Sequence, residues 1–110
     1  MFDFEKLVVY QKINALNVRV LKYLSRSTDI DDYLRDQWKR ATLSVALNLV
    51  EGSGRVTPAD KKRFYTISRS SVNECVAILN TLKGTDPLKE ELLKQDYSDY
   101  EEISKILLAL

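Results

Sequence analysis

Apolar residues recur along almost the whole chain at spacings of three and four, the period of an amphipathic helix. No stretch alternates with a period of two, so no strand is predicted. The first helix is predicted from about Asp3 to Ser25. It carries two adjoining stripes: Leu7, Val18 and Leu21 with Tyr10, and Val9, Ile13, Leu16, Val20 and Leu24. Together they cover roughly 200° of the helical wheel, about twice what one core contact needs. Lys12, Arg19 and Lys22 fill the remaining face. The excess of apolar surface predicts a second partner for this helix, such as another subunit.

Ser27-Thr28-Asp29 reads as a turn, and Asp31 and Asp32 suit the positive end of the next helix dipole. The second helix is predicted to end near Glu51. Its core stripe is Leu34, Trp38, Ala41, Val45 and Leu49, and Leu43, Leu47 and Val50 make a second apolar line. Between them runs a polar line of Gln37, Ser44, Asn48 and Glu51. Thr57 is placed to cap a third helix, with Pro58 at its first position and Asp60 in its first turn. That helix is predicted to reach Lys83 and stop at Gly84, with Phe64, Ile67, Ser71, Cys75, Ile78 and Leu82 inward. Gly52 and Gly54 read as helix-terminating caps. Asp86-Pro87 opens a short helical piece with Leu88, Leu92 and Leu93. Ser98-Asp99-Tyr100-Glu101 has the form of a capping box for a fourth helix bearing Tyr100, Ile103, Leu107 and Leu110. The chain stops on Leu107-Leu108-Ala109-Leu110, an end that is either docked or shortened. The expectation is a single all-α domain over residues 1–110, an up-down-up-down four-helix bundle with a short extra helical piece between the third and fourth helices.

Composition narrows the chemistry. The chain has 110 residues, a net charge of +1, one cysteine and no histidine. Without histidine it lacks the commonest general base and metal ligand, so no metal and no cofactor is expected. The lone Cys75 leaves no intrachain disulfide and suits a reducing cytoplasm. Its apolar neighbours mark it as a packing residue. The acidic start, Met1-Phe2-Asp3-Phe4-Glu5, is unlike a signal peptide, and no apolar run spans a bilayer. A cytoplasmic location with no membrane contact is expected.

With the helices placed, several motifs become legible. Phe4 to Gln11 opens the chain, and Gln37-Trp38-Lys39-Arg40-Ala41 through Ser44 lies on the second helix. Asn48 to Arg55 reads Asn-x-x-Glu-Gly-x-Gly-Arg, and Phe64 through Ile67-Ser68-Arg69-Ser70-Ser71-Val72-Asn73-Glu74 lies on the third helix. In these the chain resembles the four-helix-bundle proteins encoded in 23S rRNA intervening sequences, the S23 family. The resemblance covers nearly the whole chain, and Asn48–Arg55 is its most specific part. Ser70 stands where the family usually has Gly, and Thr28-Asp29-Ile30 replaces the usual turn. The resemblance implies a ring-like homo-oligomer, typically a pentamer, with no established enzymatic activity. A related bundle is the accessory variability determinant of diversity-generating retroelements, which works with a reverse transcriptase and RNA. RNA or a ribonucleoprotein is therefore an implied partner; the alternative is a purely protein–protein scaffold or accessory subunit. No small-molecule substrate is expected.

The family-motif residues are Gln37, Ser44, Asn48, Glu51, Gly52, Gly54, Arg55, Phe64, Ser71 and Glu74. Two readings compete for their polar members. One is a paired-carboxylate acid–base site built on Glu51 and Glu74. The other is a structural network that fixes the helix end and the register, with Arg55 or loop amides satisfying Glu51. Gly52-Ser53-Gly54-Arg55 lacks the length, the Lys-Ser/Thr ending and the preceding strand of a P-loop. Charge is unevenly spread: bases dominate from Arg35 to Arg69 and acids from Asp86 to Glu102. Lys39, Arg40, Arg55, Lys61, Lys62, Arg63 and Arg69 are the candidate nucleic-acid contacts. The competing reading is two solvated faces that attract each other between helices or subunits. Tyr65 is the one ring among the bases that lies off the expected core stripe, a thin set of stacking platforms.

Overall fold

The computed structural model describes residues 1–110, in a body of 44 × 25 × 22 Å. A short 3₁₀ turn, Asp3–Lys6, precedes five α-helices: α1 Val8–Arg26, α2 Asp32–Ser53, α3 Pro58–Thr85, α4 Pro87–Leu92 and α5 Lys94–Ala109. The bundle is formed by α1, α2, α3 and α5, each packed on two neighbours in the order α1–α2–α3–α5–α1. The short α4 is the predicted extra piece, and no strand is present.

Most boundaries follow local chemistry. Asp31 caps α2 by accepting from the amides of Tyr33 and Leu34. Thr57 Oγ1 accepts from the Asp60 amide at 3.1 Å, with Pro58 in the first turn. Asp86 accepts from the Leu88 amide and opens α4. The last carbonyls of α1 take their donors from Arg35 of α2, whose guanidinium donates to the Leu24 and Ser27 carbonyl oxygens. Lys89 Nζ reaches Asp29 at 2.6 Å, tying α4 to the α1–α2 turn.

Four expectations are corrected. The first helix is not continuous from Asp3. Leu7 is extended, so that Phe4 folds back edge-on to Tyr10 with ring centroids 4.9 Å apart. Gly84 does not stop α3, which continues to Thr85; the break comes from Pro87, which holds the preceding Asp86 extended. Ser98–Glu101 is not a helix start, because α5 begins at Lys94. This keeps Leu93 and Tyr100, both buried and seven residues apart, on one inward side. Finally, α3 is rotated from the expected stripe. Ser68, Ser71, Val72, Cys75, Leu79 and Leu82 are buried, while Phe64 and Ile78 are half-buried and Ile67 is exposed. With α5 packed on one flank of α3 and α2 on the other, Val72 and Leu79 turn inward.

The α1–α5 seam is polar. Arg19 donates to Asp96 at 2.8 Å and pairs with Asp99 at 2.5 Å, while Lys12 pairs with Glu102 at 2.5 Å. Burial lifts the Asp96 carboxyl above its ordinary value of 3.8, against the opposing pull of Arg19. A carboxyl with a raised folded pKa holds its proton longer in the fold than in the open chain. The fold therefore gains stability from this group as pH falls through the folded pKa, and loses it as pH rises back through that value. Asp96→Asn removes the titration. Thermal melts of the variant, followed by circular dichroism from mildly acidic to neutral pH, are expected to lack this contribution and to show relatively greater stability at neutral pH than the parent does. An unchanged pH profile would contradict the assignment.

Candidate functional site at the α2–α3 corner

The motif residues gather where α2 turns into α3. Ser44 Oγ and Ser71 Oγ lie 2.7 Å apart across the two helices. Asn48 Nδ2 donates to the Ser44 carbonyl at 2.9 Å and to its hydroxyl at 3.0 Å. Ser71 Oγ also donates to the Ile67 carbonyl at 3.2 Å. One turn on, Glu51 accepts from Arg55 at 2.5 Å. The Arg55 guanidinium carbon lies 4.7 Å from the centroid of the Phe64 ring, and that of Arg63 lies 4.6 Å from the same ring. Gln37 is half-buried further up the same side of α2.

This arrangement joins helices; it does not activate a nucleophile. Neither serine hydroxyl contacts a carboxylate, and Asn48 donates to Ser44 rather than drawing a proton from it. Glu51 is satisfied by Arg55, and Glu74 is exposed. Of the two readings of the polar line, the geometry favours the structural network, with Arg55 rather than loop amides serving Glu51. The loop amides turn inward: Gly54 N–H donates to the Val50 and Glu51 carbonyls, and Arg55 N–H to that of Gly52. A phosphate cradle needs such amides pointing outward. No group of three or more Cys, Asp or Glu side chains is arranged to hold a metal ion.

Gly52 is not a terminating cap. It is a buried residue inside α2, without a positive φ. A Cβ there would lie 2.8 Å from Tyr65 Cε1 and 3.0 Å from Phe64 Cβ. Its role is close approach, and α2 ends one residue later at Ser53, with Gly54 as its C-cap in an ordinary right-handed conformation. Gly52→Ala is expected to lower stability by about 1–3 kcal/mol in denaturant unfolding, the usual cost of overpacking. Truncating Tyr65 to Ala in the same chain should remove the tightest of these contacts and reduce the cost of the glycine substitution, leaving that of Phe64 Cβ. A Gly52→Ala variant as stable as the parent would refute the close-contact role.

The candidate basic residues are not one patch. Arg55, Lys61, Lys62 and Arg63 sit at the α2–α3 loop. Lys39 and Arg40 lie about 20 Å further along α2, at 1.5 Å per residue. Arg69 lies on the α5 side of α3, where its Nε donates to Ser104 Oγ at 3.1 Å. At the loop, Lys61 Nζ donates to the Ser53 carbonyl at 3.0 Å and Arg63 is 3.9 Å from Asp60, while Lys62 is exposed. Arg55 Nε is buried without a hydrogen-bond partner.

Sequence reasoning missed two features. The Trp38 indole N–H donates to Tyr100 Oη at 3.0 Å within the core, linking α2 to α5. A cleft between α3 and α5 exposes Asn73 and Asn80, whose seven-residue spacing was the signal available. Cys75 is fully buried, and burial pushes its thiol up to about 11. Native protein at pH 8 should therefore resist a thiol reagent and react fully once unfolded in guanidinium. Stoichiometric labelling of the folded chain would contradict the buried thiol.

The comparisons agree with this architecture. Residues 5–109 match the family model described as 23S rRNA-intervening sequence protein. A solved structure, a protein of unknown function from the S23 ribosomal protein family of Bacteroides thetaiotaomicron VPI-5482, superimposes with a TM-score of 0.85. It is 23% identical to this chain, and the match covers 93% of this chain and 96% of that one. At that identity it attests the fold. No curated protein matches. This chain belongs to the 23S rRNA-intervening sequence protein family.

Proposed function

We propose that the chain is a non-catalytic homo-oligomer of helical bundles, assembled through α1 and α2, with its α2–α3 corner turned to RNA or a ribonucleoprotein. The observation that carries assembly is the apolar surface left uncovered on those two helices. Leu7, just before α1, and Val18 of α1 are 37% and 44% exposed, and Leu43 and Leu47 of α2 are 50% and 63% exposed. Asn17 Nδ2 donates to the Thr42 carbonyl at 2.9 Å and sets the register of α1 against α2. In that register the helical period places Val18 and Leu43 at one level and turns both stripes to a common outer side. Half-buried Tyr10, Leu21, Ala46 and Val50 extend the strip. Contiguous exposed apolar patches beyond a few hundred Å² mark interaction sites. A ring of five copies is the assembly that the family resemblance implies.

The RNA reading rests on the loop cations and on the resemblance to retroelement accessory bundles. Arg55 and Arg63 are held against Phe64 and Lys62 is exposed, so a small basic cluster caps one end of the bundle. Repetition around an oligomer would multiply weak contacts by avidity. The scaffold reading keeps the assembly and drops the RNA.

One set of proteins tests both parts. Light scattering should give a multiple of 12.7 kDa for the parent chain and 12.7 kDa for the double variant Leu43→Glu/Leu47→Glu, with helical content preserved. A monomeric parent at micromolar concentration overturns the assembly. Anisotropy titrations with structured RNA should show affinity that falls with salt. In Lys62→Glu/Arg63→Glu the log–log salt slope should shrink by about 0.7–0.9 per lost phosphate contact. Absent or salt-independent binding leaves the scaffold.

A further inference from the structure

A cleft of about 440 Å³ opens between α3 and α5, on the side of the bundle away from the α1–α2 strip. It falls within the range of roughly 300–1,000 Å³ typical of ligand sites. Val72 and Tyr100 lie buried beneath it, and its accessible wall is half-buried Val76 and Tyr97, with Lys83 Nζ 4.3 Å from the centroid of the Tyr97 ring. One rim is Asn73 and Asn80 of α3, and the other is Glu101 and Lys105 of α5. Arg69 closes one end, where only its Nε is committed, to Ser104.

The geometry points to a docking groove for a proline-rich peptide in the polyproline II conformation, carrying an acidic residue at the Arg69 end. The amides set the repeat. Asn73 and Asn80 are seven residues apart, so they share a side of α3 and stand about 10 Å apart. Both are exposed, and their side chains make no hydrogen bond within the protein. A carboxamide offers two donors and an acceptor, the complement of a peptide unit. In an extended β-strand backbone groups face the same side only every second residue, at about 6.7 or 13 Å, and neither spacing fits. Polyproline II repeats every third residue, at about 9.3 Å, which does. Such a segment has no internal hydrogen bonds, so its carbonyls are free to meet the amides. Aromatic-lined grooves are the surfaces on which this conformation docks.

Charge places the acidic residue. Arg69 and Lys105 outnumber Glu101 along the groove, which favours a carboxylate toward the Arg69 end. Arg69 to Asn80 spans about 16 Å of helix, enough for about five polyproline residues at 3.1 Å each. Because the groove lies on α3 and α5, assembly through α1 and α2 would leave it open. The inference does not depend on RNA binding or on the oligomer.

The test uses the full chain, ¹⁵N-labelled, titrated with Ac-Pro-Leu-Pro-Pro-Leu-Pro-Asp-amide and with the reversed sequence, since the chain direction is unassigned. The expected result is a sub-millimolar dissociation constant for one of them, with amide shifts clustered at Asn73, Asn80, Tyr97 and Ser104. Asn73→Ala/Asn80→Ala should weaken that binding about tenfold, as loss of two modest hydrogen bonds predicts. Alanine is the better helix former at both exposed positions, so melting should be unchanged or raised. Lys105→Ala should reduce the preference for the Asp peptide over its Asn counterpart, and Arg69→Gln/Lys105→Ala should abolish it. The proposal is overturned if neither peptide moves these amides at millimolar concentration, or if the shifts fall on α1 and α2. It is also overturned if a short oligouridine moves the same amides at lower concentration, which would make the cleft a nucleic-acid site.

Discussion

The close contact of α2 with α3 is the constraint on which the rest of the bundle depends. It is made from small residues. Gly52 lets Phe64 and Tyr65 lie against the α2 backbone. Ser68 Oγ donates to the Val45 carbonyl at 2.6 Å, and Ser44 meets Ser71 at 2.7 Å. Larger side chains at these positions would force the helices apart, and a densely packed interior has little slack to absorb that. With α2 and α3 locked, Trp38 and Cys75 are held deep in the core. The Trp38 indole N–H, fully buried, then needs an acceptor, and Tyr100 of α5 supplies it. Burial keeps the Tyr100 phenol protonated by raising its pKa, so that partner does not titrate away under ordinary conditions.

The two flanks of α1 contrast. Toward α5 they are closed by ion pairs through Arg19 and Lys12. Toward α2 one buried hydrogen bond, Asn17 to the Thr42 carbonyl, is followed outward by leucines and valines that nothing in the subunit covers. A flank that completes its own bundle can carry charge, because its partners are supplied in the same chain. A flank that remains apolar at the surface is the one that the proposed assembly would cover. The two apolar stripes legible on α1 and α2 therefore have different fates: one is core, and the other is surface.

Helix identity was legible because punctuation and period agreed. Thr57-Pro58 and Asp86-Pro87 mark their helices by sterics and capping that no tertiary contact needs to help. Ser98 and Leu7 sit where a local signal was overruled by what the fold packs nearby, the Leu93–Tyr100 pair and Phe4 folding back on Tyr10, whereas at Gly84 one local signal yielded to another, Pro87 two residues past Thr85. The rotation of α3 is a tertiary fact as well, since Ile67 and Val72 are equally plausible core residues until α5 is in place. At the corner, the spacing of Ser44, Asn48 and Glu51 was enough to put them on one side of α2. That Gly52 serves contact rather than reversal depended on Tyr65, thirteen residues away.

The motif that carries the sequence resemblance and most of the surface open to partners are different residues. Asn48 and Ser71 meet at Ser44, Glu51 pairs with Arg55, and what these contacts secure is the corner between two helices. A motif spent in that way identifies a fold and constrains a partner only through the shape it maintains. Side chains free to meet a partner are elsewhere: Lys62 at the loop, Leu43 and Leu47 on α2, and Asn73 and Asn80 at the rim of the α3–α5 cleft. None of these is required by the packing of its own helix, so each can change without loss of the bundle. The residues that hold the corner are thus largely distinct from those left free at the surface, with Arg55, which pairs with Glu51 and also belongs to the loop cations, the exception.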